Sequence, residues 1–252
     1  MPEVGLTLRV LSYNIGSQRG DLPALAEVVR RLDPDVAVLQ EAPRRLRWRT
    51  RCADLARRFG LVYGAGGLPG AGNLVLTNFR VRVLESWGVQ FPLTPGRHLR
   101  GAAFARCAVG GASFVVAGSH LATDPEERPG QAAVLRRELA RAGGPVVLGC
   151  DVNEPPDGAS WRMVADGLQD AARNGDGATA TFPSGSPRLR LDAIFVDPQI
   201  SVRAYRVVDS DLARKASDHL PVLAELWLPA PDVGWTKPHL SPEDAHPGAQ
   251  AD

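Results

Sequence analysis

The chain has 252 residues, 44% hydrophobic and 23% charged, which is enough apolar material for one large domain and excludes global disorder. Its 29 Lys and Arg against 28 Asp and Glu leave a net charge of +1, less than a strongly electropositive nucleic-acid binder carries. Three cysteines (Cys52, Cys107 and Cys150) are odd in number and far apart, so neither a disulfide framework nor a zinc cluster is expected.

Strand and helix patterns then alternate along the chain. Residues 6–13 read as a strand. Asp21 caps a helix with Leu22, Leu25, Val29 and Leu32 at helical spacing, closed by Asp33-Pro34. Residues 36–39 form a short apolar run of the doubly covered type. Over 46–59, Trp48, Cys52, Leu55 and Phe59 keep helical spacing. A β-rich middle follows at 73–77, 81–89, 101–109 and 113–119. A helix is expected from Pro129 to Ala142, stopped by Gly143-Gly144. Strands at 146–148, 191–196, 201–207 and 222–226 complete the set.

This order predicts two β-sheets packed face to face with helices outside, in one domain over 1–228. Residues 229–252, rich in Pro, Asp and Gly, read as a mobile tail. No run approaches the ~20 apolar residues of a membrane span. The first residues show no basic segment followed by an apolar one. A cytoplasmic monomer is the expectation.

The informative residues are polar ones that interrupt apolar strands at their ends: Asn14, Glu41, His120, Asp151 with Asn153, Asp192, and Asp218 with His219. Each has an ordinary structural explanation when taken alone. Asn14 can cap a turn, Glu41 can pair with Arg44 or Arg45, Asp151 can be a loop carboxylate, and the histidines can be satisfied core residues. As a set they are chemically specific. Glu41, Asp151 and Asp218 are hard oxygen ligands that suit Mg²⁺ or Mn²⁺. Two histidines with carboxylates nearby supply acid and base groups. Asparagines can donate to developing charge on phosphoryl oxygens.

In order, Ser12-Tyr13-Asn14-Ile15, Leu39-Gln40-Glu41, Gly72-Asn73-Leu74, Ser119-His120-Leu121, Gly149-Cys150-Asp151-Val152-Asn153, Thr181-Phe182-Pro183, Arg190-Leu191-Asp192 and Ser217-Asp218-His219-Leu220-Pro221 run along residues 6–228. This series resembles the metal-dependent endonuclease/exonuclease/phosphatase superfamily with the deoxyribonuclease-I-like fold. The resemblance implies an α+β four-layer sandwich, two packed mixed β-sheets flanked by helices. It implies Mg²⁺ (or Mn²⁺) at Glu41, with Asn14 beside it and Asp218 near. Asp151 and Asn153 would orient the attacking water and hold a phosphoryl oxygen. Asp192 would fix the tautomer of His219, and His120 would serve as a second acid or phosphate ligand. Asn73 falls on the substrate-binding side. Cys150 stands where the family usually has glycine, and Val152 where an aromatic residue or leucine is common.

The implied reaction is in-line attack of water on phosphorus. A second class, a catalytically silent binding scaffold, is disfavoured because Glu41, Asp151, Asp192 and His219 are all present. Seven arginines against Asp54 give residues 44–58 a local charge of +6. On helical spacing Arg57 and Arg58 fall on a solvated face, whereas Arg44, Arg45 and Arg47 lie close enough to Glu41 to reach a substrate phosphate. Arg97 and Arg100 are candidates for the same rim. The substrate expected is a phosphodiester, with nucleic acid among the options. The alternative is a phosphomonoester of a sugar, inositol or nucleotide.

Overall fold

The structure, a computed structural model, describes residues 5–174 and 179–229, so the expected tail lies outside the described residues from 230 onward. The chain runs β1 (Gly5–Asn14), α1 (Leu22–Leu32), β2 (Val36–Gln40), α2 (Trp48–Phe59), β3 (Val62–Gly66), β4 (Leu74–Thr77), β5 (Arg82–Gln90), β6 (Gly101–Val109) and β7 (Ala112–His120). It continues through α3 (Arg128–Arg141), β8 (Val146–Asp151), α4 (Ala159–Ala165), β9 (Gln169–Asp170), β10 (Asp192–Val196), β11 (Ser201–Val207), α5 (Asp211–Ala216) and β12 (Val222–Pro229). Short 3-10 turns occupy Gly16–Gln18 and Ala171–Asn174.

Two six-stranded sheets result, ordered β11-β12-β1-β2-β4-β3 and β5-β6-β7-β8-β10-β9. Both are mixed: β1 and β2 run parallel at the centre of the first, β7 and β8 at the centre of the second. Val10, Val38, Val116, Val147 and Ile194 meet in the apolar layer between the sheets. Leu11, Tyr13, Ala37 and Leu39 face the other way, packing with residues of α1, α2 and α5. Phe104, Leu148, Cys150 and Phe195 pack with α3 and α4. This is the expected four-layer sandwich. Among the described residues no helix is long and apolar enough to cross a membrane.

The strand period of two carries the consequence for function. With Val10, Val38, Val116, Val147 and Ile194 facing the opposite sheet, Asn14, Gln40, His120, Asp151 and Asp192 fall on that same inward face. Asn14 pairs with Gln40, His120 with Asp151, and Asp192 with Asp151 across the ladders. Parallel pairing puts the carboxyl ends of neighbouring strands at one edge, so both sheets bring their polar ends to a common rim. The sheets approach closely there. A Cβ on Gly149 would meet Ser12 Oγ and Val38 Cβ, each at 2.9 Å.

Several local details depart from the sequence reading. The helix expected from residue 46 begins at Trp48, because Arg47 takes a left-handed conformation (φ 59°) at its cap. β3, β9, α4 and α5 were not expected. β3 is rich in glycine, β9 is two residues long, and the helices of seven and six residues are too short to show a period.

Candidate active site

Asp151, at the end of β8, is fully buried, and three side chains converge on its Oδ2. Asn14 Nδ2 donates to it across 2.8 Å, linking the two sheets. His120 Nε2 lies 3.3 Å away and His219 Nε2 3.8 Å away. Its Oδ1 accepts the Asn153 backbone N–H at 3.0 Å. Burial, reinforced by the Asp192 charge, pushes the Asp151 carboxyl up to about 7.

His219 donates from Nδ1 to Asp192 Oδ2 across 2.8 Å. Burial alone would favour the neutral imidazole, but the carboxylates of Asp192, Asp151 and Asp218 outweigh it and raise its pKa to about 10. The Thr181-Phe182-Pro183 segment, given no role from the sequence, supports this pair. Phe182 packs against the imidazole with ring centroids 4.8 Å apart. Thr181 Oγ1 accepts the backbone N–H groups of Leu191 and Asp192. Asp192 Oδ1 is buried and makes no hydrogen bond among the described residues.

His120 is set differently. Arg100 Nη1 donates to its Nδ1 across 2.8 Å. Asn153 Nδ2, which also donates to the Leu121 carbonyl, lies 2.8 Å from Nε2. A neutral imidazole has one lone pair in its ring plane, so the two donors compete for it. The charged guanidinium makes the stronger hydrogen bond, which leaves the proton on Nε2 facing Asp151. Burial, then the Arg100 charge, hold the His120 pKa well below its ordinary value.

Asn14, Glu41 and Asp218 meet around the turn that follows β1. Asn14 Oδ1 accepts the Gly16 N–H at 3.0 Å, Ser17 Oγ donates to Glu41 Oε2 at 2.7 Å, and Ser217 Oγ donates to the Asn14 carbonyl at 2.7 Å. A Cβ on Gly16, whose φ is +52°, would sit 2.9 Å from Asp218 Oδ1. Glu41 itself has φ 58°, an uncommon conformation for a residue with a side chain. Two carboxylates and an amide oxygen bordering a crowded glycine turn are hard oxygen donors of the kind that suit Mg²⁺ or Mn²⁺. Ligand atoms of Asp151, Asp192 and His219 also lie within 4.8 Å of one another. There, His219 Nδ1 is already engaged with Asp192 Oδ2 at 2.8 Å.

A cavity of about 500 Å³ opens beside these groups, lined by Glu41, His120 and five arginines: Arg19, Arg44, Arg45, Arg51 and Arg100. Arg45 and Arg100, chosen from the sequence, are thus at the wall. Arg44 is also at the wall, and its Nη1 donates to the Ala71 and Leu99 carbonyls, which fixes the guanidinium in place. Arg97 pairs with Asp124. Asn73 is not part of the cavity lining, and its Nδ2 donates to the Gly70 and Gly101 carbonyls at 2.8 and 2.9 Å. It therefore ties the 67–72 loop to β6. Gln40, which was given no role, bridges the sheets below the rim from Nε2 to Ser12 Oγ and the Gly149 carbonyl.

Residues 11–219 match the family described as Endonuclease/Exonuclease/phosphatase. Among solved structures, an endonuclease/exonuclease/phosphatase family protein of Bacteroides thetaiotaomicron is similar at 21% identity, covering 89% of this chain and 99% of that one, with a TM-score of 0.76. The mannosyl-6-phosphatase of the same organism is similar at 20% identity over 87% of this chain and 99% of its own, with a TM-score of 0.75. D. rerio TDP2 complexed with single strand DNA product is similar at 20% identity, covering 87% and 98%, with a TM-score of 0.71. At these identities the likeness is one of fold. A comparison with curated proteins returned no match.

Proposed function

From the premise that the chain belongs to the endonuclease/exonuclease/phosphatase family, a family of phosphate-ester hydrolases, we propose that it cleaves a phosphodiester by in-line attack of water. The observation that carries this reading is the convergence of Asn14, His120 and His219 on one buried oxygen of Asp151. A carboxylate raised to about 7 is matched to accepting a proton from water near neutral pH. Asn14 and the Asn153 backbone N–H hold that carboxylate in one orientation.

His219, kept protonated by Asp192, presents Nε2–H at the rim as a donor to a phosphoryl oxygen or to the leaving oxygen. His120, held neutral, offers a second N–H from Nε2. A Mg²⁺ or Mn²⁺ ion held by Asn14, Glu41 and Asp218 would neutralise charge on the phosphoryl oxygens. The free, buried Cys52, Cys107 and Cys150 support a cytoplasmic setting, and we take the protein to act as a monomer.

A phosphomonoesterase is the second reading. It is favoured by the five arginines of the cavity, more positive charge than the single anion of a diester needs. Hydrolysis of bis-p-nitrophenyl phosphate and p-nitrophenyl phosphate in Mg²⁺, Mn²⁺ and EDTA separates the two. Metal-dependent turnover favouring the diester is expected. A clear preference for the monoester would install the second reading, and turnover that survives every chelator would remove the metal from the mechanism.

A further inference from the structure

The five cavity arginines are not equivalent. Arg44 is fastened to the Ala71 and Leu99 carbonyls, Arg100 is held to His120, and Arg19 stands 3.9 Å from Glu41. Arg45 and Arg51 also line the cavity, yet among the described residues neither side chain makes a hydrogen bond or an ion pair. The acid of α2, Asp54, lies three residues after Arg51 but pairs with Arg57 at 3.4 Å. Glu41 is the one acid of the lining.

Charge decides what this wall suits. A scissile phosphoryl group brings one negative charge as a diester and up to two as a monoester. The divalent ion expected at Glu41 adds positive charge that this group must already balance. Arg45 and Arg51 are left without an anion. A volume of about 500 Å³ lies within the range of small-molecule pockets and is large enough for more than the phosphoryl group being cleaved.

Resting on the phosphoesterase reading, we propose that Arg45 and Arg51 form a second anion subsite, and that the substrate is a small molecule carrying a second phosphate group besides the one under attack. Guanidinium groups suit such a group because they present paired N–H donors in a fixed plane. The chemistry is shared by a sugar bisphosphate and by a short nucleotide with a terminal phosphate, so both are tested.

The experiment compares kcat/KM, in Mg²⁺ and Mn²⁺, within two substrate pairs. One is glucose 6-phosphate against glucose 1,6-bisphosphate, and the other is the thymidine dinucleotide without and with a 5′-phosphate. The expected result is a preference for the doubly charged member of at least one pair, and the pair that shows it identifies the source. In the Arg45→Gln/Arg51→Gln variant that ratio should fall on the order of 10–100-fold, as loss of charge-assisted contacts does. General damage to the site lowers both members together and cancels in the ratio. A preference that persists in the variant, or no preference in either pair, overturns the subsite. So does a longer single strand that outcompetes both pairs by more than its added phosphates explain. If no compound is turned over, the phosphoesterase reading fails separately, and calorimetric binding of the same pairs decides the subsite. Tighter binding of the doubly charged member that the variant loses supports it, and equal binding overturns it.

Discussion

Arg100 Nη1 and His120 Nδ1 lie 2.8 Å apart, where β6 begins and its partner β7 ends. Because a guanidinium has no acceptor, the contact places the imidazole proton on Nε2, facing Asp151. Arg100→Met should free the ring to exchange tautomers. Nitrogen-15 NMR of histidine-labelled protein should show a single Nε2–H tautomer in the parent and a mixture in the variant. The accompanying rate loss should reach about 10²-fold, the cost of a misplaced group. An unchanged His120 spectrum in the variant would show that Arg100 does not set the tautomer.

His219 and Asp192 should behave as one unit. His219→Ala is expected to lose on the order of 10²–10⁴ in rate, the range of a lost proton-transfer group. Asp192→Asn should also be strongly impaired, because an amide can present the wrong partner to Nδ1. The double variant should be little worse than His219→Ala alone, since residues sharing one role are not additive. Fully additive losses would assign the two residues independent roles.

Glu41→Gln should weaken metal binding, because an amide brings no negative charge to a hard cation. The Mg²⁺ needed for half-maximal rate should rise at least on the order of 10–100-fold, which even an outer-sphere loss can cost. The gain in Tm on adding Mg²⁺ should shrink in parallel. Identical activation curves for parent and variant would take Glu41 out of the ligand set.

Glu154 offers a test of stability against pH. Burial raises its pKa, but the N–H groups of Trp161 and Ser160 at the start of α4 and the nearby Arg128 outweigh that and hold it below 4.5. A carboxyl lowered in the folded state stabilises the protein above its unfolded pKa, and this contribution fades as pH falls through the folded value. Glu154→Gln keeps an acceptor oxygen but loses the negative charge at the helix start, and should therefore cost about 0.5–1 kcal/mol at pH 7. The gap should narrow below about pH 4. Denaturant melts at both pH values check this, and a gap that widened in acid would contradict the sign.

Much of the architecture was legible because it depends on local periods. Residues 6–13, 36–39, 113–119 and 146–148 read as strands from their apolar content, and they form the two parallel pairs that bring the site to one rim. The polar residues at their ends stood out because apolar strands rarely carry them without cause. β3 was missed because the glycines in Val62–Gly66 weaken its strand pattern. The setting of the arginines was not legible: Arg44 is anchored by two carbonyls, one of them 55 residues away.

The sequence by itself determined the kinds of group present and their place at strand ends, since residue type and period are local properties. Only the tertiary structure decided their partners. Asn14 reaches Asp151 across 137 residues, and Arg100 rather than an acid holds His120. Among the described residues Arg45 and Arg51 remain unpaired beside an arginine that is fastened to the wall. Hydrogen bonds act over about 3 Å, and pairing within that reach is set by the packing of two sheets whose strands lie far apart in the chain.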